Sequence, residues 1–149
     1  MRAVADHPRV AVRSGHKVSK SNSLSAIALW WVSTRDRGRV VATSASGRQV
    51  KGIIWREIKD LYRRARVPIG GEMHDAPDTG LQFADGREVV GFSTNEPERM
   101  AGYSGANLLF LVDEASGVPE EIFEAIEGNR AGGARVVMFS NPTRTSGTF

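Results

Sequence analysis

The sequence predicts an α/β protein of three layers, a mostly parallel central sheet with helices on both faces. Three observations carry that prediction. Short β-branched runs end in small polar residues, and helical segments follow them along the chain. The runs Leu108 to Val112 and Val136 to Phe139 are apolar at consecutive positions, as in strands buried on both faces. Two strands also end in residue types that gather ligands, Ser14-Gly15 leading to Lys20-Ser21 and the pair Asp113-Glu114. The carboxyl edge of such a sheet is where α/β proteins bind ligands.

The elements follow in order. Arg9–Arg13 reads as the first strand. A helix is expected from near Lys20 to about Ser33, because Leu24, Ile27, Ala28 and Trp31 recur at three- and four-residue spacing. A strand over Arg39–Thr43 comes next, then a helix from about Arg48 to Ala65 with the stripe Ile54, Ile58, Leu61 and Tyr62. Pro68 to Asp85 is rich in Gly, Pro and Asp and reads as loop, with one short strand around Leu81–Phe83. Strands over Val89–Ser93 and Leu108–Asp113 follow. The next helix starts at Pro119, since proline suits a first helical turn and Glu120 and Glu121 suit the positive end of the dipole. Ile122, Phe123 and Ile126 form its buried side, and Arg135–Ser140 is the last strand. Pro142 to Phe149 reads as a connection leading onward.

Composition narrows the class. A chain of 149 residues builds one domain with a real core, and 40% hydrophobic with 25% charged residues is a globular composition. There is no cysteine, which excludes disulfides and thiol chemistry and favours an intracellular setting. No apolar stretch is long enough to span a bilayer, so no membrane association is expected. The net charge of +3 permits a polyanionic partner without requiring one. His7, His16 and His74 are scattered and suggest no metal site.

The chemistry concentrates in a few stretches. In a phosphate loop, backbone N–H groups converge on phosphate oxygens at a helix N-terminus, a lysine bridges the β- and γ-phosphates, and a hydroxyl ligates Mg²⁺. Ser14, Gly15, His16, Lys17, Val18, Ser19, Lys20 and Ser21 fit that scheme as nucleotide-binding residues for ATP. Against the pattern G-x-x-x-x-G-K-[ST], Lys20 and Ser21 match, Ser14 stands at the first glycine and Ser19 at the second. Glycine at that second position lets the backbone approach the phosphates and adopt unusual dihedrals, so a serine there costs roughly 1–3 kcal/mol where strain is imposed. The same stretch, taken alone, is also an ordinary polar turn with a capping serine.

The strand ending in Asp113-Glu114 supplies the complementary half. Asp113 is the candidate Mg²⁺ holder beside Ser21, and Glu114 the candidate base that deprotonates the attacking water, with Lys20 as the second catalytic candidate. Ser140 and Asn141 end the last strand, where a polar side chain can sense a γ-phosphate or simply close an Asn-Pro turn. Arg56, Lys59, Arg63 and Arg66 recur at three- and four-residue spacing on the second long helix. That stripe can track a phosphate backbone, but Glu57 and Asp60 interrupt it and the residues alone favour a solvated helix face.

The ordered series Arg13-Ser14-Gly15-His16, Lys20-Ser21, Arg48-Gln49-Val50, Trp55-Arg56-Glu57-Ile58, Gly91-Phe92-Ser93, Leu111-Val112-Asp113-Glu114-Ala115 and Asn141-Pro142-Thr143-Arg144 resembles the ATPase domain of phage terminase large subunits. The resemblance covers nearly the whole chain. It implies a P-loop NTPase fold of the additional-strand, helicase-like kind, and ATP hydrolysis with Mg²⁺ coupled to movement of double-stranded DNA into a capsid. It assigns the phosphate-loop roles to Lys20 and Ser21, the metal to Asp113, the base to Glu114 and a coupling motif to Ser140, Asn141 and Pro142. It also implies a DNA-facing loop over Thr43 to Gln49, which makes Arg48 and Gln49 candidate DNA contacts beside Arg56, Lys59 and Arg63. The partners implied are double-stranded DNA, a portal protein, a terminase small subunit and further copies in a homo-oligomeric ring, in the cytoplasm of a bacterial host. Such proteins carry a C-terminal nuclease domain of RNase H type, whose acidic cluster is not in this sequence. Residues 1–149 are therefore expected to be part of an ATPase domain, without nuclease activity. Ser19 departs from the family glycine. Arg13, Arg99 and Arg144 are candidate arginine fingers. A helicase-like translocating ATPase unrelated to capsids, and a non-catalytic prophage relic that keeps only the fold, remain as alternative readings.

Overall fold

A computed structural model of the chain describes residues 1–15, 19–95, 97–142 and 146–149. Seven strands form one sheet: β1 (Arg9–Arg13), β2 (Arg39–Ser44), β3 (Glu72–His74), β4 (Thr79–Gln82), β5 (Glu88–Gly91), β6 (Leu108–Asp113) and β7 (Arg135–Ser140). Their order across the sheet is β1-β7-β6-β2-β5-β4-β3. The five from β1 to β5 in that order pair in parallel, and β4 and β3 continue the edge antiparallel.

Alternation along each central strand builds the three layers. Val40, Leu109, Leu111, Val137 and Phe139 share one apolar cluster, and Val41, Phe110, Val112, Val136 and Met138 share the other. Neighbouring residues thus point to opposite faces, and both faces are buried. On the first face lie helices α2 (Lys20–Thr34) and α4 (Trp55–Arg64), through Leu24, Trp31, Trp55 and Ile58. On the second lie α5 (Pro97–Ala101) and α6 (Glu120–Arg130), through Met100, Ile122, Phe123 and Ile126. The described residues also include α1 (Arg2–Asp6), α3 (Gly47–Gln49), which continues through a π-helical turn, Val50–Ile54, into α4, and a 3-10 turn, Ala115–Gly117. Among the described residues no helix is long and apolar enough to cross a membrane.

The expected strands over 9–13, 108–113 and 135–140 are present as read. The strand expected over 89–93 ends instead at Gly91: the Phe92 N–H still donates to the Ala42 carbonyl of β2 (3.2 Å), but the Phe92 carbonyl accepts the Thr43 side-chain hydroxyl (2.8 Å). The stretch read as loop with one strand holds two, β3 and β4, paired as a hairpin. The basic helix ends at Arg64, so Arg66 does not continue the stripe of Arg56, Lys59 and Arg63. Neither α1 nor α5 was expected. The Arg135 guanidinium anchors α1 by donating to the carbonyls of Val4 (2.9 Å) and Ala5 (2.7 Å).

Candidate active site

Strand β7 stands between β1 and β6, and this brings three sequence stretches to one edge. Arg13 pairs with Ser140, and the Ser14 N–H donates to the Ser140 carbonyl (3.1 Å). Val112 pairs with Met138, so Asp113, the last residue of β6, stands beside the tip of β7. The end of β1, the end of β7 and the acidic end of β6 therefore share the carboxyl edge of the parallel sheet.

The start of α2 is built to receive an anion. Its first-turn N–H groups have no intrahelical acceptor. Its N-cap, Ser19, makes no side-chain capping bond, and no acidic residue sits in that turn. A helix N-terminus in this state offers N–H donors and the positive end of the dipole. Ser19 has φ 56° and ψ 31°, the left-handed conformation that glycine adopts without penalty. The serine therefore takes the backbone shape its position demands, at a cost of about 1–2 kcal/mol. Ser14 Oγ is buried and has no hydrogen-bond partner among the described residues. His16, Lys17 and Val18 lie outside the described residues.

The Lys20 ammonium meets Glu114 Oε1 at 3.0 Å, across 94 positions of sequence, with the lysine side chain only 12% exposed. Glu114 has φ 48° and ψ 45°, a second left-handed residue without a glycine's freedom. Asp113 is buried, and its Oδ1 accepts the Glu114 N–H (3.0 Å). Burial is the main influence raising the Asp113 carboxyl above its ordinary range, with the Glu114 charge adding to it, while the Glu114 N–H and the Lys20 cation pull the other way. Among the described residues no three His, Cys, Asp or Glu side chains gather for a metal. One carboxylate, one hydroxyl at Ser21 and the remainder from phosphate and water is a donor set that fits Mg²⁺, which keeps several waters and binds few protein groups.

The tip of β7 is packed into this edge. Ser140 is buried, and its hydroxyl accepts the Ser116 N–H (3.2 Å). Ser116 Oγ donates to the Asn141 carbonyl (2.8 Å). No motif in the sequence singles out Ser116, which lies in the turn Ala115–Gly117.

The candidate DNA contacts scatter more widely. Arg48 lines a cleft of about 580 Å³ with Lys51, Ser93 and Arg99, away from Lys20 and Glu114. The side-chain oxygen of Gln49 accepts the Ser44 hydroxyl (2.8 Å), and Thr43 and Ser44 are buried within β2. Arg56 and Arg63 are exposed. The Lys59 ammonium is held by Asp75 (3.0 Å), whose carboxyl is lowered chiefly by that bond. Among the arginine-finger candidates, Arg13 is exposed at the end of β1 and Arg144 lies outside the described residues. Arg99 is held by Asp78 (2.5 Å) and lies over the Phe92 ring.

No protein-family model matches the chain. It is 31% identical over 147 residues to the probable terminase large subunit of Enterobacteria phage P7, a match over 93% of this chain and 30% of that protein. The chain is a homologue of the phage terminase large subunit. It spans under a third of the length of this relative. Solved terminases share its fold. The large terminase ATPase domain of Thermus phage P74-26 superposes with TM-score 0.72 at 20% identity, over 97% of this chain and 64% of that one. The large terminase of the thermophilic bacteriophage D6E gives 0.70 at 14% identity, over 93% and 35%. The same D6E protein in complex with ADP gives 0.68 at 17%, over 93% and 35%. The sheet of this terminase homologue is thus that of the large terminase ATPase domains, with β7 standing between β1 and β6.

Proposed function

We propose that this chain is the ATP-hydrolysing motor region of a phage DNA-packaging terminase large subunit, coupling ATP hydrolysis to movement of double-stranded DNA into a capsid. The observation that carries the reading is the meeting of Lys20 with Glu114 at one sheet edge, beside buried Asp113. The contact joins a helix-start lysine to a strand-end acid 94 positions away, which a local polar turn alone does not explain. The ADP complex of the D6E terminase supports nucleotide as the ligand.

In this reading the N–H groups at the start of α2 and the Lys20 ammonium bind the β- and γ-phosphates. Ser21 and Asp113 would hold Mg²⁺, which supplies charge neutralisation at the phosphates. Phosphate oxygens compete with Glu114 for Lys20, and Glu114 is released as its cation is taken. The freed carboxylate accepts a proton from the attacking water, as the bond from the γ-phosphorus to the bridging oxygen breaks. Ser140 and Asn141 lie where hydrolysis is passed on to DNA. Arg48, Gln49, Arg56, Lys59 and Arg63 are the proposed DNA contacts, and binding there should weaken steeply with salt. A portal protein, a small subunit and a ring of copies are the proposed partners, in the host cytoplasm, and residues 1–149 the proposed part of the ATPase domain.

Phosphate release from Mg-ATP, measured for wild type and Glu114→Gln, tests the reading. Wild type should turn over, and the variant should still bind nucleotide while losing about a hundredfold or more in rate. Equal rates would refute Glu114 as base. The left-handed backbone at Ser19 favours a second reading, a fold that binds nucleotide and hydrolyses it poorly. Turnover that rises in Ser19→Gly would mark an impaired enzyme, and none in either would mark a relic.

A further inference from the structure

The turn after Glu114 is tied to the tip of β7 through one side chain. Ser116 gives its N–H to Ser140 Oγ (3.2 Å), its hydroxyl meets the Asn141 carbonyl (2.8 Å), and the two serine hydroxyls are themselves in hydrogen-bond contact. Each hydroxyl carries one proton. Both hydroxyls reach the Asn141 carbonyl, Ser116 Oγ at 2.8 Å and Ser140 Oγ at 3.2 Å, so one donates to that carbonyl while the other donates across the serine pair. Either arrangement ties the turn to the strand tip, and Ser140, only 1% exposed, completes it without solvent. The Ser140 carbonyl meanwhile accepts the Ser14 N–H (3.1 Å), at the entrance to the stretch that leads to Lys20. One residue of β7 therefore touches both halves of the site, and Ser116 is its link to the acidic half. Glu114, two residues before Ser116, holds a left-handed backbone that a non-glycine residue keeps only where its surroundings over-determine it.

We propose that Ser116 is a positioning residue that fixes the Glu114 turn against the Ser140–Asn141 tip and relays nucleotide occupancy from the first to the second. It acts through Glu114 and Asn141 and touches no reacting atom. The inference rests on the nucleotide-site reading above and concerns the regulation of that site. A serine that merely closed a turn would influence stability alone. A relay would separate the response of the two segments it joins.

The test uses the full chain as wild type, Ser116→Ala and Ser116→Thr. Removing the hydroxyl leaves the backbone N–H bond to Ser140 in place, so Ser116→Ala should fold, and a thermal melt verifies this. Mg-ATP binding is measured first, then amide hydrogen exchange with and without Mg-ATP over residues 113–117 and 140–142. In wild type, nucleotide should slow exchange in both segments. In Ser116→Ala, with affinity within about twofold of wild type, the slowing should persist over 113–117 and vanish over 140–142. Turnover, where wild type shows it, should fall about tenfold in kcat with KM held within about twofold, the size of losing ordinary hydrogen bonds in the transition state alone. Ser116→Thr, which keeps the hydroxyl, should restore both readouts. Slowing at both segments in Ser116→Ala, or equal impairment of the alanine and threonine variants, would overturn the relay while leaving the nucleotide site intact. A folded wild type that binds no Mg-ATP would overturn the nucleotide site itself, and the relay with it. If wild type binds without turnover, the exchange pattern decides.

Discussion

The two sides of the sheet differ in what holds them and in what they offer. On one side β1, β7, β6 and β2 run parallel between two helical layers, and every candidate nucleotide residue described lies at their carboxyl edge or at the start of α2. On the other side β4 and β3 turn back as an antiparallel hairpin, whose residues Glu72 and Gln82 are exposed. Acids around that hairpin are spent on cations: Asp75 holds Lys59, and Asp78 holds Arg99. The contrast teaches that burial on both faces creates a rigid edge for chemistry, while the acids around the hairpin pair with cations brought from α4 and α5.

The largest expected effect lies in the rigid half. Phe110, fully buried in β6, should cost about 4 kcal/mol of stability as Phe110→Ala in denaturant unfolding. A loss below about 1 kcal/mol would mean that the parallel centre is not the rigid part. The hairpin half gives a smaller effect. A Cβ at Gly80 would sit 2.5 Å from the His74 ring, whose Nδ1 lies 3.1 Å from the Asp78 carbonyl oxygen. Gly80→Ala should cost about 1–2 kcal/mol in the same assay, because the half-buried ring must shift. Smaller again, Ser19→Gly should stabilise the chain by about 1 kcal/mol or less, since glycine relieves the left-handed strain yet adds freedom to the unfolded chain.

The last effect is one of direction. The unfolded Asp113 carboxyl titrates near 3.8, and burial raises it in the fold. A raised carboxyl contributes stability that is complete below the unfolded value and is lost as pH climbs through the folded one. In metal-free protein at neutral pH, Asp113→Asn should therefore raise the melting temperature, and the gain should shrink as pH falls towards 3.8. A gain that grows on acidification would contradict the burial argument.

Legibility in the sequence followed the same division. The central strands declared themselves because burial on both faces leaves continuous apolar runs such as Leu108–Asp113. Lys20, Ser21, Asp113 and Glu114 stand out as candidates because the residue types of a phosphate loop and an acidic strand end follow an order along the chain. The hairpin was not, since its short strands include Gly80 and the exposed Glu72 and give no clear alternation. Helix α1 depends on Arg135 carbonyl contacts more than 120 residues away, which no local pattern encodes. The pairing of Lys59 with Asp75 and that of Arg99 with Asp78 are tertiary contacts 16 and 21 residues apart, which charge spacing along one helix does not encode. Ser116 carried no signal because a serine in a turn is commonplace, and only the sheet order brings it to Ser140.

The most direct test of the central claim is Mg-ATP binding by calorimetry to the 149-residue chain, wild type beside Lys20→Ala. The account predicts that wild type binds despite Ser19 and that the variant loses binding, because Lys20 is the cation that phosphate takes from Glu114. Equal binding by the two, or none by a folded wild type, would contradict it.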